Sequence, residues 1–445
     1  MASIFAAVSE VPATAPSNKT SWRFALSKTE FWHIKINHAV KKLTALSTFD
    51  SVSSRSPKNT RRENAGIPAS REEKEPRYKK PIRGEQPQRA HQIMIDISPW
   101  TVALLGFFCS YLALLKFRPL AVTIGLVDKA GHLKRHGENV PMIGGLAIFV
   151  GYFFVLAAHP VLLEANAAFL VCGALIVVMG TLDDRFPLSP MLRLAIHIVI
   201  AAMAISSAGL TVQNIGAPFA TGVIELGWFA MPFAVLVFVG GINAWNMIDG
   251  IDGLASVLAF IALGFLLVVA ISSGGALPAN LLALLCSIGA FFLFNLPFRG
   301  LRRHRTFLGD AGSMFLGFAV VWHALALSQN SSAVISPVTA LWFVALPVYD
   351  VITTTLRRVL KGVSPLAGDR QHLHHLLQDH GLSIRQTLLV MAALALLGGL
   401  IGLSSHYAGI SDGAMFALFA SLGAAYFLGV RRLAQGARAV AMDFA

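Results

Sequence analysis

Eleven long apolar segments occupy the sequence from residue 97 onward, and they constrain its fold more than any other feature. Each is roughly 16–22 residues long, close to the ~20 residues that an α-helix needs to cross a bilayer. The segments are 97–118, 141–158, 165–181, 191–208, 229–246, 253–272, 278–296, 311–328, 336–357, 385–405 and 411–430. They lack the alternation of polar and apolar residues that an outer-membrane barrel requires. The sequence therefore predicts an all-α polytopic integral membrane protein with about eleven transmembrane helices.

The Lys and Arg residues that follow residue 94 all fall at the same end of these segments. They lie around 116–135, at Arg185 and Arg193, and within 299–305, 357–385 and 431–438. Because cationic loops are retained in the cytoplasm, this end is predicted to be cytoplasmic. Aspartates collect at the same end: Asp183, Asp184, Asp249, Asp252, Asp310, Asp350 and Asp369. We expect an active site at this cytoplasmic face.

Residues 1–93 form a polar leader of a different character. It holds 17 Lys and Arg against 8 Asp and Glu, so it carries most of the net charge of +13, and this location argues against a nucleic-acid partner. Its composition and weak periodicity predict disorder. A basic segment directly before the first span also opposes the orientation deduced above. We expect synthesis to start at Met94, so that residues 94–445 form the membrane domain and residues 1–93 are not part of the native protein.

Asp183 and Asp184 are adjacent at the end of the third segment. Neighbouring carboxylates repel each other unless a cation or a shared proton relieves them. Mg²⁺ held by carboxylates and substrate phosphates is one solution, and a proton-accepting acid beside a metal-bound one is another. A solvated helix C-terminus is the plainer alternative, but acids are unfavourable at the negative end of a helix dipole.

A second polar series ends the fifth segment. Asn243, Asn246, Asp249 and Asp252 recur every three residues, so on a helix they would line a curved patch. The glycines that follow the two aspartates would break the helix or let a ligand approach the backbone. No Lys or Arg is close in sequence to neutralise these acids. Acids at a membrane boundary indicate function by default.

Basic residues precede two of the apolar segments. The loop at 127–136 leads into Pro141, Gly144 and Gly145, and Arg299, Arg302, Arg303 and Arg305 precede Asp310. Both clusters suit phosphate or lipid headgroups, although positive-inside bias alone explains much of this charge. Asp310 opens the eighth segment, where a simple N-cap is an alternative interpretation.

The last motif contains three histidines in four residues: His372, His374 and His375, preceded by Asp369 and Arg370. A zinc site would need a second cluster of metal ligands, and the sequence has none. Imidazole and guanidinium groups suit a phosphorylated sugar, and an interfacial cluster without function is the alternative. With the carboxylates, these groups predict phosphoryl transfer between a lipid phosphate and a soluble nucleotide derivative.

Five motifs in this order resemble the polyprenyl-phosphate N-acetylhexosamine-1-phosphate transferases, the glycosyltransferase 4 family with its WecA, MraY and TagO types. They lie at 140–145, 183–184, 243–253, 307–313 and 369–375. The His-x-His-His form is similar to the WecA type, whereas the MraY type has three consecutive histidines. The resemblance implies transfer of GlcNAc-1-phosphate from UDP-GlcNAc to undecaprenyl phosphate in the bacterial inner membrane, with release of UMP. This reaction would begin a lipid-linked cell-envelope glycan such as O-antigen lipopolysaccharide.

The same resemblance implies roles for individual residues, with Mg²⁺ or Mn²⁺ as cofactor. Asp310 would be the principal metal ligand with Asp184 close to the metal, and Asp183 would be the base that activates the lipid phosphate. A covalent aspartyl intermediate remains the alternative to direct attack. Uridine would contact Asn246, Asp249, Asp252 and Phe307, and the sugar phosphate would contact Arg370, His372, His374 and His375.

Two other functions are alternatives, of which the second is disfavoured because the ionisable residues collect at one end of the segments and no internal repeat is evident. The same chemistry could use another UDP-N-acetylhexosamine or UDP-MurNAc-pentapeptide. A cation-coupled transporter would instead place ionisable residues near the middle of the membrane, with internal repeats. The sequence does not decide whether the protein acts alone or as a homodimer.

Overall fold

A computed structural model describes residues 98–128, 139–219, 222–298, 304–329, 333–364 and 371–443, with side chains as far as residue 435. Several predictions concern residues outside these ranges: the leader 1–93, the basic residues at 129–136, Arg299, Arg302, Arg303, Asp369 and Arg370.

The described chain is mainly α-helical. Its helices are α1 (Pro99–Ile124), α2 (Gly144–Ala157), α3 (Pro160–Ala165), α4 (Ala167–Arg185), α5 (Pro190–Ala208), α6 (Ala230–Ile248), α7 (Leu254–Ser272), α8 (Ala279–Asn295), α9 (Gly309–Ser328), α10 (Pro337–Phe343), α11 (Ala345–Leu360), α12 (Leu373–Asp379), α13 (Ile384–Ala408) and α14 (Asp412–Asp443). A short antiparallel pair, β1 (Val127–Asp128) and β2 (Val140–Pro141), is a small departure from the all-α prediction.

The apolar helices make this a multi-pass membrane protein. Within the described ranges, eight helices are long and apolar enough to cross a bilayer: α1, α4, α5, α6 with the 3-10 turn before it, α7, α9, α13 and α14. Helices α10 and α11 meet at an angle of 82° and pass the same test together, as a broken span or a re-entrant loop. Helices α2 and α8 are apolar but shorter, so the count of eleven stays a prediction.

Local sequence signals set several helix boundaries. Ser189 accepts a hydrogen bond from the Leu192 amide at the start of α5, and proline follows the cap. Ser383 and Gln386 form a reciprocal capping box at the start of α13. These signals start the two helices at defined residues, so the polar segments before them end at defined places.

Helix α9 lies at the centre of the bundle. It packs against α2, α4, α6 and α7. Of its most apolar stretch, 78% is buried within the protein, against 17% for α14 at the periphery. A residue in the first turn of α9 is therefore surrounded by the ends of several other helices.

The entrance of α2 and the chain before α9 are joined through their backbones. The Phe307 amide donates to the Pro141 carbonyl at 2.9 Å, and the amides of Gly144 and Gly145 donate to the carbonyls of Phe307 and Leu308, each at 2.9 Å. Gly145 then lies directly against Gly312 of α9, since a Cβ built on Gly145 would be 2.1 Å from the Gly312 Cα. Small residues allow this close helix contact.

We predict that Gly145→Ala destabilises the protein, because the added methyl group has no space against the α9 backbone. Overpacking of this kind costs about 1–3 kcal/mol. Thermal unfolding in detergent should show a lower Tm than for the unmodified protein. Gly289→Ala in α8 is the matched control, since its Cβ would meet nothing within 4 Å; equal Tm values for the two variants would contradict the tight α2–α9 contact.

Candidate active site

The carboxylate of Asp184 connects the end of α4 to the beginning of α9. Its Oδ1 accepts a hydrogen bond from the Asp310 amide at 2.9 Å, and its Oδ2 accepts one from the Ala311 amide at 3.3 Å. A carboxylate is favourable at a helix N-terminus, where the amides lack intrahelical partners. Asp184 thus caps α9, which corrects the alternative that Asp310 is the cap: Asp310 lies inside the first turn.

The second member of the pair, Asp183, is buried, with 4% of its side chain exposed. Its Oδ1 accepts a hydrogen bond from the Leu188 amide at 2.7 Å, and its Oδ2 accepts one from Arg193 Nη1 at 2.9 Å. The pair is therefore not a solvated helix end. Each aspartate anchors a different neighbour of α4.

Arg193, in the first turn of α5, lies between two carboxylates. Its Nη1 is 2.9 Å from Asp183 Oδ2 and 3.8 Å from Asp310 Oδ2. From the sequence, this arginine was predicted only to belong to the cationic face. Its contact with Asp310, which is more than a hundred residues away in the sequence, had no local sequence signal.

Helix α6 contacts Asp310 from the other side. The Nδ2 of Asn246 donates to Asp310 Oδ1 at 2.8 Å and to Ser313 Oγ at 3.1 Å. The Asp310 side chain nevertheless remains 36% exposed. Asn246 therefore orients a carboxylate that remains partly exposed.

Asp249 follows the last residue of α6, close to the same carboxylates. Burial raises the pKa of Asp249 well above its usual range, and the negative charges of Asp310, Asp184 and Asp252 raise it further. The accumulation of negative charge around Asp249 is energetically unfavourable. A divalent cation would relieve it.

A buried amide holds the segment after Asp249. Asn295, at the end of α8, accepts a hydrogen bond from the Gly253 amide at 2.6 Å and donates to the Thr306 carbonyl at 2.9 Å. It joins the polar turn before α7 to the chain before α9. Sequence reasoning missed Asn295, although a lone amide at the end of an apolar helix was an available signal.

Asp252 has a cationic partner from a distant part of the sequence. Arg305 forms an ion pair with Asp252, and its guanidinium lies over the Phe307 ring, 4.9 Å from the centroid. Asp252, Arg305 and Phe307 are thereby brought together at the edge of the site. No Lys or Arg is close to Asp252 in the sequence, but the folded chain places Arg305 beside it.

The histidine motif lies against the aspartate-bearing turn. His372 and His374 are buried, and their rings are nearly parallel with centroids 5.7 Å apart. His375 follows, with its ring centroid 4.1 Å from that of His374. A Cβ on Gly250 would lie 2.0 Å from His374 Nε2, so only glycine allows the histidines to approach the residue after Asp249.

The donor set agrees with Mg²⁺ shared with a phosphorylated ligand. Within the described ranges, no group of three His, Cys, Asp or Glu side chains is arranged to hold a metal ion by itself. Mg²⁺ is usually bound by one or two carboxylates together with waters and substrate phosphates. Asp310 with Asp184 beside it, in surroundings with excess negative charge, fits that pattern.

The predicted residues from four motifs thus meet at one end of the bundle. The structure brings together the following residues: Asp183, Asp184, Asn246, Asp249, Asp252, Phe307, Asp310, His372, His374 and His375. Arg370 lies outside the described residues. Arg193 and Asn295 are additions that only the folded chain reveals.

Comparison with known proteins gives one consistent relationship. The sequence model for glycosyl transferase family 4 matches residues 166–328, which include the paired aspartates and Asp310. The undecaprenyl-phosphate alpha-N-acetylglucosaminyl 1-phosphate transferase of Yersinia pestis is 35% identical over 315 residues, covering 70% of this chain and 86% of that protein. The protein of the same name from Escherichia coli K12 is 34% identical over 304 residues, covering 68% and 82%. Since the similarity extends over most of these relatives, the chain belongs to glycosyl transferase family 4, and it is similar to the WecA type of that family.

Proposed function

We propose that the protein transfers N-acetylglucosamine 1-phosphate from UDP-GlcNAc to undecaprenyl phosphate, forming undecaprenyl-diphosphate-GlcNAc and UMP. The observation that carries this proposal is the meeting of Asp184, Asp310 and Asn246, from three different helices, in a chain similar to enzymes of that name. Such a site offers charge and positioning, which are the main requirements of phosphoryl transfer.

In this proposal, the active site lies at the cytoplasmic face of the bacterial inner membrane. Its residues lie at one end of the bundle, the end at which the Lys and Arg residues of the membrane domain are located. UDP-GlcNAc is a soluble cytoplasmic compound, so it would reach the site from that side. The short helices α2 and α8 and the bent pair α10–α11 would complete eleven crossings.

Mg²⁺, or Mn²⁺ in its place, would bind Asp310 with Asp184 close by and neutralise charge on the substrate diphosphate. The protein's own residues prepare this arrangement. Asn246 orients the Asp310 carboxylate, and Asp184 holds the backbone from which Asp310 projects. The nucleotide phosphates would therefore meet a preorganised carboxylate rather than a mobile one.

The lipid acceptor would bind beside Arg193. Its guanidinium contacts Asp183 and lies 3.8 Å from Asp310, so a phosphate bound to Arg193 would lie next to both the donor site and Asp183. Asp183 would accept the proton of a monoanionic acceptor phosphate. Because a phosphate monoester has its second pKa near ~6, much of the acceptor is already dianionic at neutral pH.

The donor's other parts would occupy the opposite side of the site. Phe307 offers a ring for uracil, and Arg305 and Asp252 fix the surroundings of that ring. The diphosphate and sugar would extend past Asp249 towards His374 and its neighbours, with Arg370 as a further contact. These contacts would act in binding and orientation, since they lie apart from Asp183.

An assay with the purified protein would test the proposed reaction directly. It should be incubated with Mg²⁺, undecaprenyl phosphate and, in separate reactions, UDP-GlcNAc, other UDP-N-acetylhexosamines and UDP-MurNAc-pentapeptide. Mass spectrometry should find undecaprenyl-diphosphate-GlcNAc as the main product. If only another sugar nucleotide gives product, that nucleotide is the donor substrate instead of UDP-GlcNAc. If none gives product, the proposed reaction is rejected.

We predict that Asp310→Asn reduces Mg²⁺-dependent UMP release by at least about 100-fold, the scale on which loss of one transition-state charge contact acts. Asp412→Asn is the matched control: Asp412 accepts a hydrogen bond from the Ala217 amide at 3.1 Å, in the connection at the far end of α5. The control should retain full activity. Near-normal turnover by Asp310→Asn would remove Asp310 from the reaction.

We predict that the defect of Asp183→Asn depends on pH. Below the second pKa of the acceptor phosphate, at about pH 5.5, the monoanion predominates and needs a base, whereas at about pH 8 the dianion needs none. Turnover relative to the unmodified protein should therefore recover as pH rises. A relative defect of equal size across this range would show that Asp183 only holds Arg193.

We predict that His374→Ala raises KM for UDP-GlcNAc about 10-fold or more, since a buried contact to a charged ligand is lost. KM for undecaprenyl phosphate should change little, because that substrate is placed beside Arg193. His406→Ala, near the other end of α13, serves as the control. Equal effects on the two KM values would reject the sugar-phosphate role of His374.

A further inference from the structure

Asp350, on α11, has hydrogen-bond contacts that the proposed reaction does not use. It is only 3% exposed. Its Oδ2 lies 2.6 Å from His372 Nδ1, and its Oδ1 accepts hydrogen bonds from the Leu373 amide at 3.2 Å and from the Tyr426 hydroxyl at 2.9 Å. One buried carboxylate thereby joins the start of α12 to both α11 and the last helix, α14.

The contact with Asp350 determines which nitrogen of His372 carries hydrogen. A carboxylate accepts hydrogen bonds, so the short contact places the imidazole hydrogen on Nδ1. The other ring nitrogen, Nε2, is then the one left to act as an acceptor in the neutral imidazole or as a second donor in the cation. The Thr354 hydroxyl also lies 3.4 Å from Nδ1, but it can donate or accept, so the shorter contact with the carboxylate of Asp350 favours one tautomer and one ring orientation of His372.

The orientation of His372 is transmitted towards the active site. Its ring lies nearly parallel to that of His374, at an interplanar angle of 15°. His374 presses against Gly250, which follows Asp249. A rotated His372 would disturb this stack, and with it the side chains proposed to contact the sugar phosphate.

A purely structural role for Asp350 would be to hold α11 and α14 together. Tyr349, the preceding residue, already does this without a charge, since its hydroxyl donates to the Phe419 carbonyl on α14 at 2.8 Å. Burial of a carboxylate is costly unless its partners compensate for it. The three contacts of Asp350 include two to the histidine motif, which indicates a task there.

We propose that Asp350 and Tyr426 are positioning residues that hold His372 in its Nδ1–H form and align the histidine stack with the donor sugar phosphate. This inference rests on the proposed function. It assigns a role in the reaction to α14, a peripheral membrane helix. Neither residue is a catalytic residue, since both act through His372.

The test compares Asp350→Asn, Tyr426→Phe and the control Tyr349→Phe in the transfer assay, with thermal unfolding measured alongside. Asp350→Asn keeps the shape but can present an N–H group to Nδ1, which favours the other tautomer. We expect kcat to fall about 10- to 100-fold, the range typical of groups that orient a functional histidine. Tyr426→Phe should lower kcat less, and KM for undecaprenyl phosphate should stay within about twofold in both variants.

Tyr349→Phe should keep its kcat even though it loses a hydroxyl contact between the same two helices. Normal kcat in both Asp350→Asn and Tyr426→Phe would overturn the proposal. So would activity losses that follow the decrease in Tm equally in all three variants, since that pattern indicates helix attachment alone.

A spectroscopic readout separates this inference from the proposed reaction. In protein labelled with ¹⁵N-histidine, the His372 signal, identified by its loss in His372→Gln, should report Nδ1–H in the unmodified chain and change in Asp350→Asn. An unchanged tautomer would overturn the positioning role. If the unmodified protein is inactive with every UDP-sugar, the proposed function fails, while the tautomer measurement still decides the contact.

Discussion

The hydrogen bonds from the first amides of α9 to the Asp184 carboxylate are the interaction on which the rest of the site depends. Helix α9 is central and largely buried, so its position is set by the neighbouring helices that pack against it. Asp184 joins the N-terminus of α9 to the end of α4. The contact of Gly145 with Gly312 brings α2 close to the same end of α9. Asp310 therefore projects from a fixed backbone at the point where these elements meet. A carboxylate at this position combines the favourable end of a helix dipole with access to ligands.

Charge balance explains how so many acids share one place. Arg193 lies between Asp183 and Asp310, and Arg305 pairs with Asp252. Together with Asp249 the local carboxylates still outnumber these two arginines, so the arrangement favours a divalent cation and a substrate that brings its own phosphates. The two arginines pair with different carboxylates, and in the proposed function the lipid acceptor would bind beside Arg193 and the nucleotide beside Arg305.

The sequence predicted the helical membrane fold and the motifs that meet, because long apolar segments and clustered polar residues are local features. It could not predict the partners of individual side chains, since these come from helices distant in sequence. Arg193 had the same local pattern as any retention-signal arginine, and Asn295 and Asp350 each stood alone within apolar surroundings. Hydropathy found the apolar segments that contain α2 and α8, but it could not detect the break between α10 and α11, because it measures apolar length and not helix direction.

The most direct test of this account is the position of the metal ion relative to α9. Crystals grown with Mn²⁺ and UDP-GlcNAc would locate the ion by anomalous diffraction. The account predicts one strong peak within coordination distance of the Asp310 carboxylate, adjacent to Asp184 and to the nucleotide diphosphate. A peak bound by the histidines instead, or an ordered diphosphate with no metal near Asp310, would contradict it.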